Sequence, residues 1–184
     1  MSLPPAGLSQ ASVSHTIGGE NAMKKLALTL SISLLCAFAA QAQPTMVKRF
    51  NDWGVYSYKA DGQTVCYLLT VPTGQTPASV DHGKNFFMVG PGASAKYEPQ
   101  ARMGYELKQG SRVKVRIGDQ TFWMFTRENA AWMQHEEREP EMIRAMRGGS
   151  EMVIEATSSR GTDTSYTYSL DGITAALKQV TSCS

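Results

Sequence analysis

Three histidines, His15, His82 and His135, are the side chains of this chain best placed to move a proton near neutral pH. A histidine base needs a reacting group in reach and a third group to orient it, and a metal-binding histidine needs companions at ligand spacing. His82 stands in the turn-like run Asp81-His82-Gly83-Lys84, and His135 precedes Glu136-Glu137. No second His lies at helical or strand spacing from either, so no metal set assembles. His82 reads as a solvated loop histidine, with a hydrolase base, at His82 or at His135, as the sharper alternative. Asp81 and Glu98 could pair across a cleft, but nothing sets them apart from any other two acids. There is no Gly-x-Ser-x-Gly elbow and no Cys-His motif, and Gly90-Pro91-Gly92 lacks the Lys-Ser/Thr of a nucleotide loop. The expectation is a non-enzymatic chain with no catalytic residue, no cofactor and no metal.

Binding chemistry has better candidates. Between Arg112 and Thr126, Val113, Val115 and Ile117 alternate with charged residues, Gly118-Asp119 supplies a two-residue turn, and Phe122 and Met124 alternate with Trp123 and Phe125. If Ile117 pairs with Gln120, then Val115 faces Phe122 and Val113 faces Met124. Lys114, Arg116, Trp123 and Phe125 then share the opposite face. Either a second layer covers these rings and the cationic stems lie over them, or the face is an exposed recognition surface for an acidic or carbohydrate partner. Arg160, in Ser158-Ser159-Arg160-Gly161-Thr162-Asp163-Thr164, also has two readings. The run suits a hairpin turn, and it suits an Arg with neighbouring hydroxyls that grasp a carboxylate or phosphate.

The elements that must position these residues are mostly short strands. Tyr56 to Tyr58, Val65 to Val71, Phe86 to Val89, Gly104 to Leu107 and Met152 to Ala156 are β-favouring runs. Glu139 to Gly148 has the punctuation of a helix, with Pro140 in the first turn, acids early, Arg147 late and Gly148 last. Met142, Ile143 and Met146 share one face of it; core packing fits them better than copper(I), because no Cys or His joins them. From Asp171 to Val180, with Asp171 as the expected cap, Leu170, Ile173, Leu177 and Val180 form one stripe.

The chain's first residues address it elsewhere. Met23-Lys24-Lys25, an apolar run of 15 residues from Leu26 to Ala40, and the step Ala40-Gln41-Ala42 are the three parts of a secretory signal peptide. The run is shorter than the roughly 20 residues a bilayer-spanning helix needs, so cleavage near Gln43 is expected rather than a membrane anchor. Residues 1–22 are polar and aperiodic and read as a mis-assigned start, 23–42 as the signal, and 43–184 as one domain. Losing residues 1–42 removes Lys24, Lys25 and Glu20 and leaves a net charge near +1, which argues for neither nucleic acid nor an anionic membrane as partner. Of three cysteines, Cys36 goes with the signal; Leu35 before it, where a small residue would be expected, argues against lipid attachment. Cys66 and Cys183 remain, and in an exported chain they read as a disulfide, with two buried thiols as the alternative.

Taken in order, these segments resemble the invasion-associated locus B (IalB) family of Gram-negative envelope proteins. The resemblance runs from Trp53 to Cys183. It rests on Asp52-Trp53, Cys66-Tyr67-Leu68, His82-Gly83, Gly104-Tyr105 before Gly110-Ser111-Arg112-Val113, Ile117-Gly118-Asp119 before Phe122, and Ala131-Trp132. It continues through Ile143 to Met152, Ser158 to Thr164 and Tyr168 to Leu177. It implies a small exported β-sandwich linked by name to invasion of host cells, and it supplies no catalytic residue or cofactor. Many relatives carry a Cys soon after the first Trp, where this chain has Ser57, which leaves Cys66 and Cys183 as the intrachain pair. The expectation is a single-domain antiparallel β-sandwich with one or two short helices, periplasmic, surface-exposed or secreted. Its partner would be a protein or glycan in the envelope or on a host cell; the alternatives are a small-molecule or glycan-binding module and an envelope hydrolase.

Overall fold

A computed structural model describes residues 43–92 and 96–183. The expected start segment, the signal peptide, Cys36 and His15 lie outside the described residues.

Every ladder in the sheet is antiparallel, so the side chains of each strand alternate between an inner and an outer face. The strands are β1 (Thr45–Phe50), β2 (Trp53–Ala60), β3 (Gln63–Thr70), β4 (Gly74–Thr76), β5 (Phe86–Gly90) and β6 (Glu98–Arg102). They continue with β7 (Arg112–Ile117), β8 (Gln120–Arg127), β9 (Ala130–Met133), β10 (Glu151–Thr157) and β11 (Asp163–Ser169). Their spatial order is β1-β2-β3-β5-β6-β9-β8-β7-β10-β11-β4. This one sheet turns back on itself as a sandwich. Trp53 of β2 meets Phe87 of β5 edge-on at 6.4 Å, and Phe87 meets Tyr168 of β11 at 6.2 Å, so strands far apart in the sheet order share one core. Trp53 is fully buried, and its indole N–H donates to the Ser169 carbonyl at 3.1 Å.

The β7-β8 hairpin has the register its alternation predicts: Ile117 opposite Gln120, Val115 opposite Phe122, Val113 opposite Met124. Gly118, at φ +56°, takes the turn position that needs positive φ. Helix α1 (Glu139–Gly148) buries Met142, Ile143 and Met146, as its pattern requires. A short 3₁₀ turn, Glu136–Arg138, leads into it.

Several expectations need correction. Gly104 to Leu107 is no strand: Leu107 makes a single bridge to Ser158, because Asn85 holds the Gly104 N–H and pulls this segment onto a neighbouring loop. Helix α2 (Ile173–Val180) is preceded by Gly172 at φ +92°, not capped by Asp171; a Cβ at Gly172 would meet the Phe50 carbonyl. Strands β1, β4, β6 and β9 are not evident as runs in the sequence. In β6, Pro99 is tolerated because the ladder to β9 begins only at Gln100, which leaves one side of the proline unpaired. Those on His82, on the pair Asp81 and Glu98, and on the Trp123 face are given below.

Cys66 and Cys183 are bonded, with Cα atoms 6.1 Å apart and a separation of 117 positions in sequence. The link ties the segment after α2 to β3. In the chain-entropy model, closing a loop of this length contributes about 4 to 5 kcal/mol. Among the described residues no helix is long and apolar enough to cross a membrane.

Candidate functional site

The loop after β4 folds against β11 and carries His82 inward. The ring is 4% exposed, not solvated as its turn sequence suggests. Its Nε2 lies 2.9 Å from the Pro77 carbonyl and its Nδ1 2.9 Å from the Tyr166 hydroxyl. A carbonyl can only accept, so Nε2 carries the hydrogen, and in the neutral ring Nδ1 accepts from the Tyr166 O–H. Burial, first among the causes, pushes the Tyr166 hydroxyl above the ordinary phenol range, so it stays a donor at neutral pH. The two rings also meet edge-on at 5.4 Å. Sequence pattern missed this because Tyr166 lies 84 residues away in the chain.

Asn85 is the clamp beneath His82. Its side-chain N–H donates to the His82 carbonyl at 3.0 Å, and its Oδ1 accepts the Gly104 N–H at 3.0 Å. Gly83, at φ +59°, and Gly104 touch so closely that a Cβ on Gly104 would overlap the backbone of His82 to Lys84. On the other side, the Ser159 N–H donates to the Glu106 carbonyl at 2.8 Å. Thr164 donates to the Ala156 carbonyl at 3.0 Å, so the Tyr105 hydroxyl, 2.6 Å from Thr164 Oγ1, is the donor of that pair.

The result is a cleft of about 440 Å³ walled by His82, Gly83, Gly104, Tyr105 and the tip of the β10-β11 hairpin, with Arg160 and Ser159 on its rim. Arg160 does sit in a hairpin turn, closed by Gly161 N–H to Ser158 carbonyl at 2.8 Å with Gly161 at φ +85°, and the same turn forms the wall. Asp81 and Glu106 are the acids of this cleft. Glu98 lines a different one, so the imagined pair of Asp81 with Glu98 does not assemble. His135 is an exposed side chain, 3.3 Å from Glu137, outside both clefts. Among the described residues no cluster of His, Cys, Asp and Glu is arranged to hold a metal.

The Trp123 face lies open, not under a second layer. Phe125 is 42% exposed and Trp123 half-buried. The Arg112 guanidinium, which sequence reasoning left out, sits 4.4 Å above the Trp123 ring. Lys114 and Arg116 both reach Glu155, at 3.3 and 3.0 Å, which offsets part of the positive charge. Phe125 turns away from this basic group and stacks on Trp132 at 5.8 Å. Thus the structure groups Lys114, Arg116 and Trp123, separates Phe125 from them, and places Arg160 elsewhere.

The sequence model of the invasion associated locus B (IalB) proteins matches residues 53–181. The chain belongs to the IalB family. Three of the segments that carry the resemblance, His82-Gly83, Gly104-Tyr105 and Ser158 to Thr164, are the walls of the one cleft. Among solved structures, the crystal structure of invasion associated protein B from Bartonella henselae is similar, with a TM-score of 0.58 over 75% of this chain and 96% of that chain. At 11% identity that likeness shows the fold, a mainly antiparallel β domain. No curated protein sequence matches the chain.

Proposed function

We propose that this IalB-family chain is an exported envelope protein, periplasmic or surface-exposed, that works by recognising a partner rather than by catalysis. The observation that carries this reading is the wiring of His82. Both ring nitrogens are engaged, by Pro77 and Tyr166, and the ring is almost wholly buried, so His82 is not free to act as a base in the cleft it walls. What the cleft does offer is Arg160 and hydroxyls on its rim, chemistry suited to a carboxylate or phosphate displayed by a protein or glycan of the envelope or a host cell.

Two experiments test it. Protease treatment of intact cells, beside osmotic-shock fractions and spent medium, reads location: digestion on intact cells or recovery from medium supports contact with a host, and protection directs the search to periplasmic partners. Retention in the cytoplasm would overturn export. The Arg160→Ala variant reads the site: lost partner capture with unchanged melting supports recognition, whereas capture unchanged by the substitution removes Arg160 from it. Turnover of an envelope substrate that disappears in a folded His82→Ala variant would replace the reading with a hydrolase.

A second reading, a small-molecule or glycan module, is favoured by the open trough of about 530 Å³ beside Trp123 and Lys114. Arg112 already covers the Trp123 ring there, so a sugar would have to displace it to stack.

A further inference from the structure

The outer face of the sheet changes sign across one hairpin. Trp123 lies among Arg112, Lys114 and Arg116, whereas Phe125 joins Trp132 of β9, with 23° between the ring planes, at an open cleft of about 310 Å³. Three elements bring carboxylates to this second cleft: Glu98 from β6, Glu136 from the 3₁₀ turn and Glu139 from the first turn of α1. Arg127 is the cation among its lining residues.

Glu139 is the unusual member. It is 5% exposed, and among the described residues no hydrogen bond or ion pair reaches its carboxylate. Its neighbours Arg138 and Glu141 are committed to each other through two 2.9 Å bonds. Burial, then the charges of Glu98 and Glu136, pushes its pKa up to about 7. An ionised carboxylate buried without a partner is expensive, and one in a cleft beside two further acids is relieved by taking up a proton or by a positive charge arriving from outside.

We propose that this cleft binds an organic cation, the ammonium or guanidinium head of an alkyl chain, between the Phe125 and Trp132 rings and the carboxylates of Glu98, Glu136 and Glu139. The rings decide the kind of cation. A hard divalent ion wants oxygen on most sides, and among the described residues no cluster of acids converges on one metal position. An alkylammonium or guanidinium group is content with ring surface on one side and carboxylate on the other. The cleft is separate from that of His82 and lends nothing to the recognition proposed there.

Titration of the purified protein with two probes tests the proposal: spermidine, for a free polyamine, and a short capped peptide with one lysine, for a side chain of a protein partner. The acetyl-lysine form of the peptide is the control. The expected result is saturable movement of the Trp132 indole N–H resonance at millimolar probe, absent with the control, and weakened at least about fivefold in Glu139→Gln. Tighter binding of the peptide identifies a protein partner's side chain as the source, and tighter binding of spermidine a free polyamine; either supports the site. Affinity should rise from pH 6 to pH 8 as Glu139 ionises against Glu98, Glu136 and Arg127, and that rise should vanish in Glu139→Gln. If Trp132→Ala fails to fold, the exposed Phe125→Ala reads the ring contribution instead. No saturation with either probe, or binding undiminished in Glu139→Gln, overturns the proposal.

Discussion

In the His82 cleft the buried polar groups answer one another: Tyr166 donates to His82, His82 to Pro77, Asn85 to the His82 carbonyl, and Thr164 to Ala156. In the Phe125 and Trp132 cleft, Glu139 is a largely buried residue whose carboxylate has no hydrogen-bond or ion-pair partner among the described residues. Both clefts mix rings with charges, and both are built where loops or turns meet the sheet. The difference lies in where the polar cost is settled. A satisfied network holds three chain segments in register and favours the folded state. An unsatisfied acid works against folding and is retained at little benefit unless something binds it. Stability and binding should therefore respond in opposite ways to substitutions in the two places.

The largest test is Gly104→Ala. The added methyl must push apart the backbone of His82 to Lys84, for which no side-chain rotation compensates. A loss of at least about 3 kcal/mol is expected, read as a lower denaturant midpoint, with the cleft lost before the sheet. A variant as stable as the parent would show that the two loops are not clamped.

His82→Ala comes next. It strands the Tyr166 hydroxyl and the Pro77 carbonyl in a buried place, at about 2 to 3 kcal/mol. His82→Asn, which keeps a donor and an acceptor, should recover part of that loss.

Glu139→Gln should move the other way. Its folded pKa near 7 lies above the ordinary value of 4.5, so the folded state keeps a proton that the unfolded state has released. Stability from this group is full below the lower value and falls as pH rises toward 7. Glutamine removes that fall, so the variant should gain about 1 kcal/mol at pH 8 and nothing at pH 5, measured by thermal melts at both. An equal effect at both pH values would mean that Glu139 is not held against ionisation.

The smallest effect is on the basic side of the same face. Lys114→Ala removes one of two cations that share the half-exposed Glu155, and Arg116 remains. A change within about 0.5 kcal/mol is expected. A larger loss would move that face from solvent-exposed decoration toward a structural role.

Much of the architecture is legible in the sequence, and for one reason. A strand with one buried face must alternate, so the pattern from Val113 to Met124, with Gly118-Asp119 between, leaves one register that keeps Val115 and Phe122 on the core side. The helix from Glu139 to Gly148 is equally readable from Pro140, its acids and its buried stripe. Where alternation is weak, reading fails: β1 has exposed residues at almost every position, β4 has only three residues, and β6 opens with Glu98-Pro99. Gly104 to Leu107 misleads because Tyr105 and Leu107 favour strands, while Asn85 and the contact of Gly104 with Gly83 hold the segment in a bend.

The sites divide along the same line. By itself the sequence determined the β-rich class, the family, the two cysteines available to pair, and the face that Lys114, Arg116 and Trp123 share. These follow from local period, composition and ordered motifs. Only the tertiary structure decided that Tyr166 reaches His82, that Phe125 leaves the basic group for Trp132, and that Glu139 is buried with no partner. Each of these depends on which distant strands become neighbours, and the order β6-β9-β8-β7-β10-β11 is set by packing of the whole core, not by any local stretch of chain.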